Sequence, residues 1–260
     1  DSSGDLWVSD IAADRVAEYV PPFHNGMAAS VVIGQTNMEN TGPCNGTDYF
    51  QYDPIPSPTA ATLCQPSGIA FDSQGDLWVI DEGNVRILEF APPFSTGMSA
   101  SLELVGQPLS AFNSNGAICD ETSANSFCYL DAIAFDKNGD LWVSDGTFDR
   151  EMEFVPPFSN GMAASLVLQQ HNFTPTGFDH AGDPTGGLFF DDSGNLIISD
   201  QVTQSAVVSG RVYFYAPPFS SVDSMASSMT ILSGQHCPEP PDYIVTANAI
   251  CNPTGLVTFP

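Results

Sequence analysis

The chain has 260 residues, is 42% apolar, and sets 31 acidic side chains against five basic ones for a formal charge of −26. A field of that sign repels nucleic acid and anionic lipid, so neither is expected as a partner. No apolar run approaches the roughly 18 residues that a membrane-spanning helix requires, and the apolar fraction supports a sizeable core in one domain.

The chain opens on Asp1-Ser-Ser-Gly-Asp-Leu-Trp, at a hairpin, with neither an initiating Met nor a leader. It reads as a mature, processed protein whose first unit lacks its innermost strand. A cassette then appears four times. It runs from a Gly-Asp-Leu-Trp-Val-Ser-Asp-like segment through an Arg to Pro-Pro-Phe and a short apolar stretch, with the triplets starting at Pro21, Pro92, Pro156 and Pro217. Self-similarity of this kind predicts a repeat architecture in which each unit buries its faces against its neighbours.

The first unit occupies residues 1–35 and is followed by an insert at 36–65. In the second unit, 66–107, residues 66–72 read as a strand, and Asp72 to Asp76 as a tight turn around Gly75. Residues 77–80 and 85–90 read as the next two strands. The prolines then break the ladder, and residues 99–105 form the fourth strand. Four short antiparallel strands in 42 residues make one propeller blade. The third unit is 130–170 and the fourth 185–235, with inserts at 108–129, 171–184 and 236–252. All four inserts fall on the same face. Leu256, Val257, Thr258 and Phe259, in 253–260, supply the strand missing from unit one. They are expected to close the ring within the chain, or alternatively to complete the first unit of a neighbouring molecule.

Residues 66–90 follow, nearly position for position, the pattern Pro-x-Gly-Ile-Ala-x-Asp, Gly-x-Leu-x-Val-x-Asp, then Arg-Val. This resembles the NHL-repeat branch of the β-propellers, and 129–154 and 185–215 follow it less closely. The resemblance supports an all-β, four-bladed propeller of four-stranded antiparallel blades. Such propellers include binding platforms, lyases and hydrolases, so fold alone leaves the activity open.

The cysteines fall into three local pairs, Cys44 with Cys64, Cys119 with Cys128, and Cys237 with Cys251. Each pair occupies the same slot between units, which predicts three local disulfides and an oxidising, extracellular or cell-surface location. The composition, rich in Ser, Thr, Asn and Gly, suits an exported surface protein. Arg15, Arg86, Arg150 and Arg211 follow Asp10, Asp81, Asp145 and Asp200 in one repeat slot, and four equivalent pairs read as structural staples. Trp7, Trp78 and Trp142 share another slot, filled by Ile197 in unit four, and read as packing between blades.

The acidic turns Asp1/Asp5, Asp72/Asp76, Asp136/Asp140 and Asp191/Asn195 are expected to bond their own backbone. A weak Ca²⁺ site is the alternative, placed rather among Asp10, Asp14, Glu82, Asp149 and the inserts. His171, Asp179, His180 and Asp183 lie in the insert without cysteines and form a candidate metal set. The outer strands, read over residues 29–33 and 164–168, are almost uncharged edges, with Glu103 their only charge.

The reading these features favour is an exported, non-enzymatic structural or interaction module whose partner is a protein, including further copies of itself. The alternatives are a metal-dependent lyase or lactonase of NHL-like type, and glycan or peptide binding on the insert face.

Overall fold

The computed structural model describes residues 1–39, 58–105, 123–148, 150–170, 172–173, 187–204, 207–221 and 229–231, with only the backbone described at 105, 147, 200–204, 207–211 and 229–231. It is all-β: four antiparallel sheets, one per repeat, as in a β-propeller-like fold. No helix among the described residues is long and apolar enough to cross a membrane.

One compact unit holds residues 1–120 and 157–162. Its first sheet has the order β1 (Leu6–Asp10), β2 (Arg15–Tyr19), β3 (Val31–Ile33). Its second sheet runs β4 (Pro66–Phe71), β5 (Leu77–Asp81), β6 (Arg86–Phe90), β7 (Leu102–Val105). The β4–β5 turn is tight because Asp72 Oδ1 accepts from the amides of Gln74 at 2.8 Å and Asp76 at 3.0 Å. β5 passes to β6 through a 3₁₀ turn at Glu82–Asn84, ended by Val85 in the left-handed region. The core joins Trp7, Val16 and Ile33 to Leu77, Val79, Leu88 and Phe90. Phe94 seats edge-on against Trp7 with ring centroids 4.7 Å apart, and Phe158 seats against Trp78 at 4.8 Å.

The other unit holds residues 121–156 and 163–260. Its sheets are β8 (Leu130–Phe135), β9 (Leu141–Asp145), β10 (Arg150–Phe154), β11 (Leu166–Leu168), and β12 (Leu188–Phe190), β13 (Leu196–Gln204), β14 (Val207–Tyr215), β15 (Met229–Ile231). Trp142 and Leu168 pack on Leu188, Leu196, Ile198, Tyr213 and Tyr215. Phe219 meets Trp142 at 5.0 Å, the third instance of the Phe-on-Trp contact. The wider Asp200–Arg211 spacing lengthens the β13–β14 hairpin but leaves the register intact, with Asp200 still opposite Arg211.

Two sequence expectations need correcting. The outer strands begin later than residues 29, 99 and 164, because Ser30, Ser101 and Ser165 precede them as latches. Each of these serines donates both its amide and its hydroxyl to the carbonyl of Glu18, Glu89 or Glu153. Nor are the edges of β3 and β7 bare. Val32 donates to Thr96 Oγ1 at 3.2 Å and accepts from the amide of Gly97 at 3.1 Å. Glu103 likewise donates to Asn160 Oδ1 at 3.0 Å and accepts from the amide of Gly161 at 3.3 Å. The Pro-Pro-Phe loops that begin at Pro92 and Pro156 thus each clasp an edge that composition alone left open. Glycine is needed in the clasp because Gly97 and Gly161 have φ of +75° and +66°. The first sheet has three strands among the described residues, and the expected closing strand Leu256, Val257, Thr258, Phe259 lies outside them.

Candidate functional site

The four Arg positions were the sharpest chemical signal in the sequence. Arg86 is buried and Asp81 fully so, with Arg86 Nε 2.7 Å from Asp81 Oδ2. The guanidinium also reaches Glu103 Oε1 at 2.9 Å and the carbonyls of Thr59 and Thr62 at 2.8 and 2.9 Å. Asp81 in turn accepts from the amide of Cys64 and from Asn84 Nδ2. Arg150 repeats the plan: Nε and Nη2 lie 3.1 and 2.9 Å from Asp145 Oδ2, and the other donors hold the carbonyls of Ser123, Ser126 and Phe173.

Each Arg therefore joins its strand pair to the segment entering the blade. Its planar fork offers five donors in fixed geometry and reaches four acceptors in each case, one more than the three N–H groups of a lysine could serve. Arg15 keeps its 3.0 Å bond to Asp10 but remains partly exposed, as does Asp10. At Asp200 and Arg211 only the backbone register is described.

Burial disfavours the charged carboxylate. It pushes Asp145 up to about 6 and also raises Asp81, despite the opposing pull of Arg150 and Arg86. Glu89 and Glu153 are raised for the same first reason, with Ser101 and Ser165 hydroxyls bonding the carboxylates and opposing the rise. These Ser–Glu latches, at 2.9 and 2.6 Å, were missed in the sequence. Their signal was a Glu alternating with apolar residues in the third strand, twelve residues before a Ser in three of the four units.

The acidic turns do bond their own backbone. Asp136 Oδ1 accepts from the amides of Asn138 and Asp140, and Asp191 Oδ1 from those of Ser193 and Asn195. Asp1, Asp5 and Glu18, and equally Asp72, Asp76 and Glu89, bring three carboxylate oxygens within 4.8 Å of one another. Such oxygen sets suit a hard cation such as Ca²⁺. The fourth sheet makes the same turn with Asn195 in place of a second acid, and the Asn195 amide bonds hold Asp191 below the usual carboxylate range. The turn itself therefore requires no cation.

Of the other Ca²⁺ candidates, Asp14 is buried, and its Oδ1 accepts from the amide of Gln65 at 2.8 Å. Asp149 and the set His171, Asp179, His180 and Asp183 lie outside the described residues. Cys64 and Cys128 are disulfide-bonded, while Cys44, Cys119, Cys237 and Cys251 lie outside the description. A Cβ at Gly83 would lie 2.3 Å from Cys64 Sγ, so this bend tolerates only glycine beside the sulfur.

Exposure singles out the first sheet. Leu6 and Val8 are 51% and 40% exposed, and Phe23 is 54% exposed. Their repeat counterparts Leu77, Val79, Leu141 and Val143 are fully buried. Phe94, Phe158 and Phe219, the counterparts of Phe23, are half-buried against Trp7, Trp78 and Trp142.

No curated protein matches the chain. Among solved structures, a streptogramin B lyase is similar at 15% identity over 84% of this chain and 53% of its own, with a TM-score of 0.42. A catalytically inactive virginiamycin B lyase from Staphylococcus aureus with quinupristin is similar at 15% identity, over 85% and 54%, with a TM-score of 0.41. The selenomethionine form of virginiamycin B lyase from Staphylococcus aureus gives 13%, 84%, 54% and 0.42. The chain spans about half the length of each. The family model described as the NHL repeat matches residues 63–90, and the chain therefore carries an NHL repeat in the second of its four sheets.

Proposed function

We propose that the chain is an exported, non-enzymatic structural module that assembles with copies of itself. One observation carries the reading: the apolar face of the first sheet is exposed at Leu6 and Val8, where the second and third sheets bury the same positions. Contiguous exposed apolar surface marks an interaction site. The four sheets are the four blades at 1–35 with 253–260, 66–107, 130–170 and 185–235. Leu256, Val257, Thr258 and Phe259 pair with β1 as a strand added from a neighbouring copy. The disulfides are Cys44–Cys64, Cys119–Cys128 and Cys237–Cys251, which suits an oxidising space outside the cell.

Electron microscopy and light scattering of the protein beside a variant lacking residues 256–260 test the reading. Assemblies for the intact chain and a folded monomer for the deletion are expected. An intact chain that stays monomeric at every concentration overturns it.

A further inference from the structure

We infer that the loop of residues 21–26 is the docking plug of this assembly, and that its seat is the fourth sheet of a second copy. The inference rests on self-assembly as proposed above and names the surfaces that meet.

The seat is deduced from the contact the chain already makes with itself. A Pro-Pro-Phe loop does two things at once. Its Phe lies edge-on against the Trp of a preceding sheet, at 4.7 Å for Phe94 on Trp7 and 4.8 Å for Phe158 on Trp78. Two residues further on, an oxygen of Thr96 or Asn160 and the amide of Gly97 or Gly161 take both outward backbone groups of one edge residue, Val32 or Glu103. Phe219 repeats the first part against Trp142 at 5.0 Å.

The first loop carries the full kit: Pro21, Pro22, Phe23, then Asn25 and Gly26. Gly26 already has the required geometry at φ +72°, beside +75° and +66° in the two working clasps. Yet Phe23 is the most exposed of the large hydrophobic side chains among the described residues, at 54%, whereas Phe94, Phe158 and Phe219 are half-buried. Leu6 and Val8 lie exposed in the same sheet.

Continuing the series assigns the complement. The clasped residues Val32 and Glu103 stand opposite Ala17 and Leu88, the third residues of β2 and β6. The residue in that register on the fourth sheet is Ile231, opposite Tyr213. Ile197 stands where the other sheets have Trp, and offers an apolar seat for Phe23. First sheet onto fourth sheet is a heterologous contact between unlike surfaces, so it propagates into a ring or a filament rather than stopping at a two-fold dimer.

The experiment uses the intact chain with Phe23→Asp or Asn25→Ala, followed by sedimentation velocity across a range of concentrations. Phe23→Asp should weaken association about thirtyfold or more, the scale of a buried aromatic anchor, with thermal stability unchanged. Benzoylphenylalanine at position 23, in a mixture of isotopically light and heavy chains, should cross-link between chains to peptides containing Ile197 or Ile231. Wild-type assembly with unaltered association of Phe23→Asp overturns this seam while leaving self-assembly standing. Cross-links exclusively within one chain overturn it too, since the plug then seats on its own fourth sheet. A wild type that never associates removes both readings.

Discussion

The segments Leu6–Asp10 and Leu77–Asp81 are almost the same five residues, Leu-Trp-Val-Ser-Asp and Leu-Trp-Val-Ile-Asp, and they pair with the same register to the strand that follows. Their surroundings differ. In β5 all five are buried, Leu77 and Val79 against Trp7, Val16 and Ile33, whereas in β1 Leu6 and Val8 face solvent. The ion pairs follow suit: Asp81–Arg86 is sealed, while Asp10–Arg15 remains partly open. In a repeat protein the stabilisation of a unit lies as much in its interface with the neighbour as in its own strands. Among the described residues, the first sheet leaves this face exposed at Leu6 and Val8.

The largest contrast should come from the arginines. Arg86→Ala leaves Asp81 buried and without its charge partner, and should cost roughly 3–5 kcal/mol. Arg15→Ala, at a partly exposed pair, should cost about 0–1 kcal/mol. Denaturant midpoints of the two variants measure this directly. Equal losses would mean that the first sheet is as sealed as the second.

Leucine truncation probes the same difference through packing. Leu77→Ala empties a fully buried site and should cost about 2–5 kcal/mol. Leu6→Ala in dilute protein should stay within about 0.5 kcal/mol. Thermal unfolding at low concentration reads both, and a large loss for Leu6→Ala would show that its face is already covered in the single chain.

Acid should stabilise the protein rather than unfold it. The folded-state values of Asp81, Glu89, Asp145 and Glu153 are raised. The fold therefore holds protons that the unfolded chain would release. The stability contributed by these groups is complete below their unfolded values and is lost as pH rises through the folded ones. For Asp145 that window runs from 3.8 to about 6. Reducing the self-repulsion of a chain at −26 acts in the same direction. Calorimetry should find a higher Tm near pH 4.5 than near pH 7. A Tm that falls over that interval would show that the Arg partners outweigh burial.

Much of the fold was legible because repetition amplifies weak signals. One Asp–Arg spacing says little, whereas four in one repeat slot pointed to staples, and Asp10–Arg15, Asp81–Arg86 and Asp145–Arg150 form them. The destinations of the loops were not legible. Nothing in Ser-Thr-Gly or Ser-Asn-Gly says that Thr96 or Asn160 will bond the outer edge of a different sheet. That contact joins residues 64 and 57 positions apart, and it depends on how sheets stack. The Ser–Glu latch was missed because a Glu in a strand reads as a solvent-facing position until the Ser beside it is seen. Ser101→Ala should accordingly cost only about 1 kcal/mol, the worth of one partly exposed hydrogen bond, detectable as a small fall in Tm. A loss several times larger would make the latch a core element.

The proposed assembly requires the exposed face of the first sheet, at Leu6 and Val8, to become covered only when copies meet, whereas Leu77 and Val79 in the second sheet are buried within the chain. Hydrogen exchange of residues 6–19 beside residues 77–90, followed from dilute to concentrated protein, tests it most directly. Amides in 77–90 should be protected throughout, while those in 6–19 should exchange faster in dilute protein and become protected as concentration rises. Equal protection of both segments at every dilution would contradict the account.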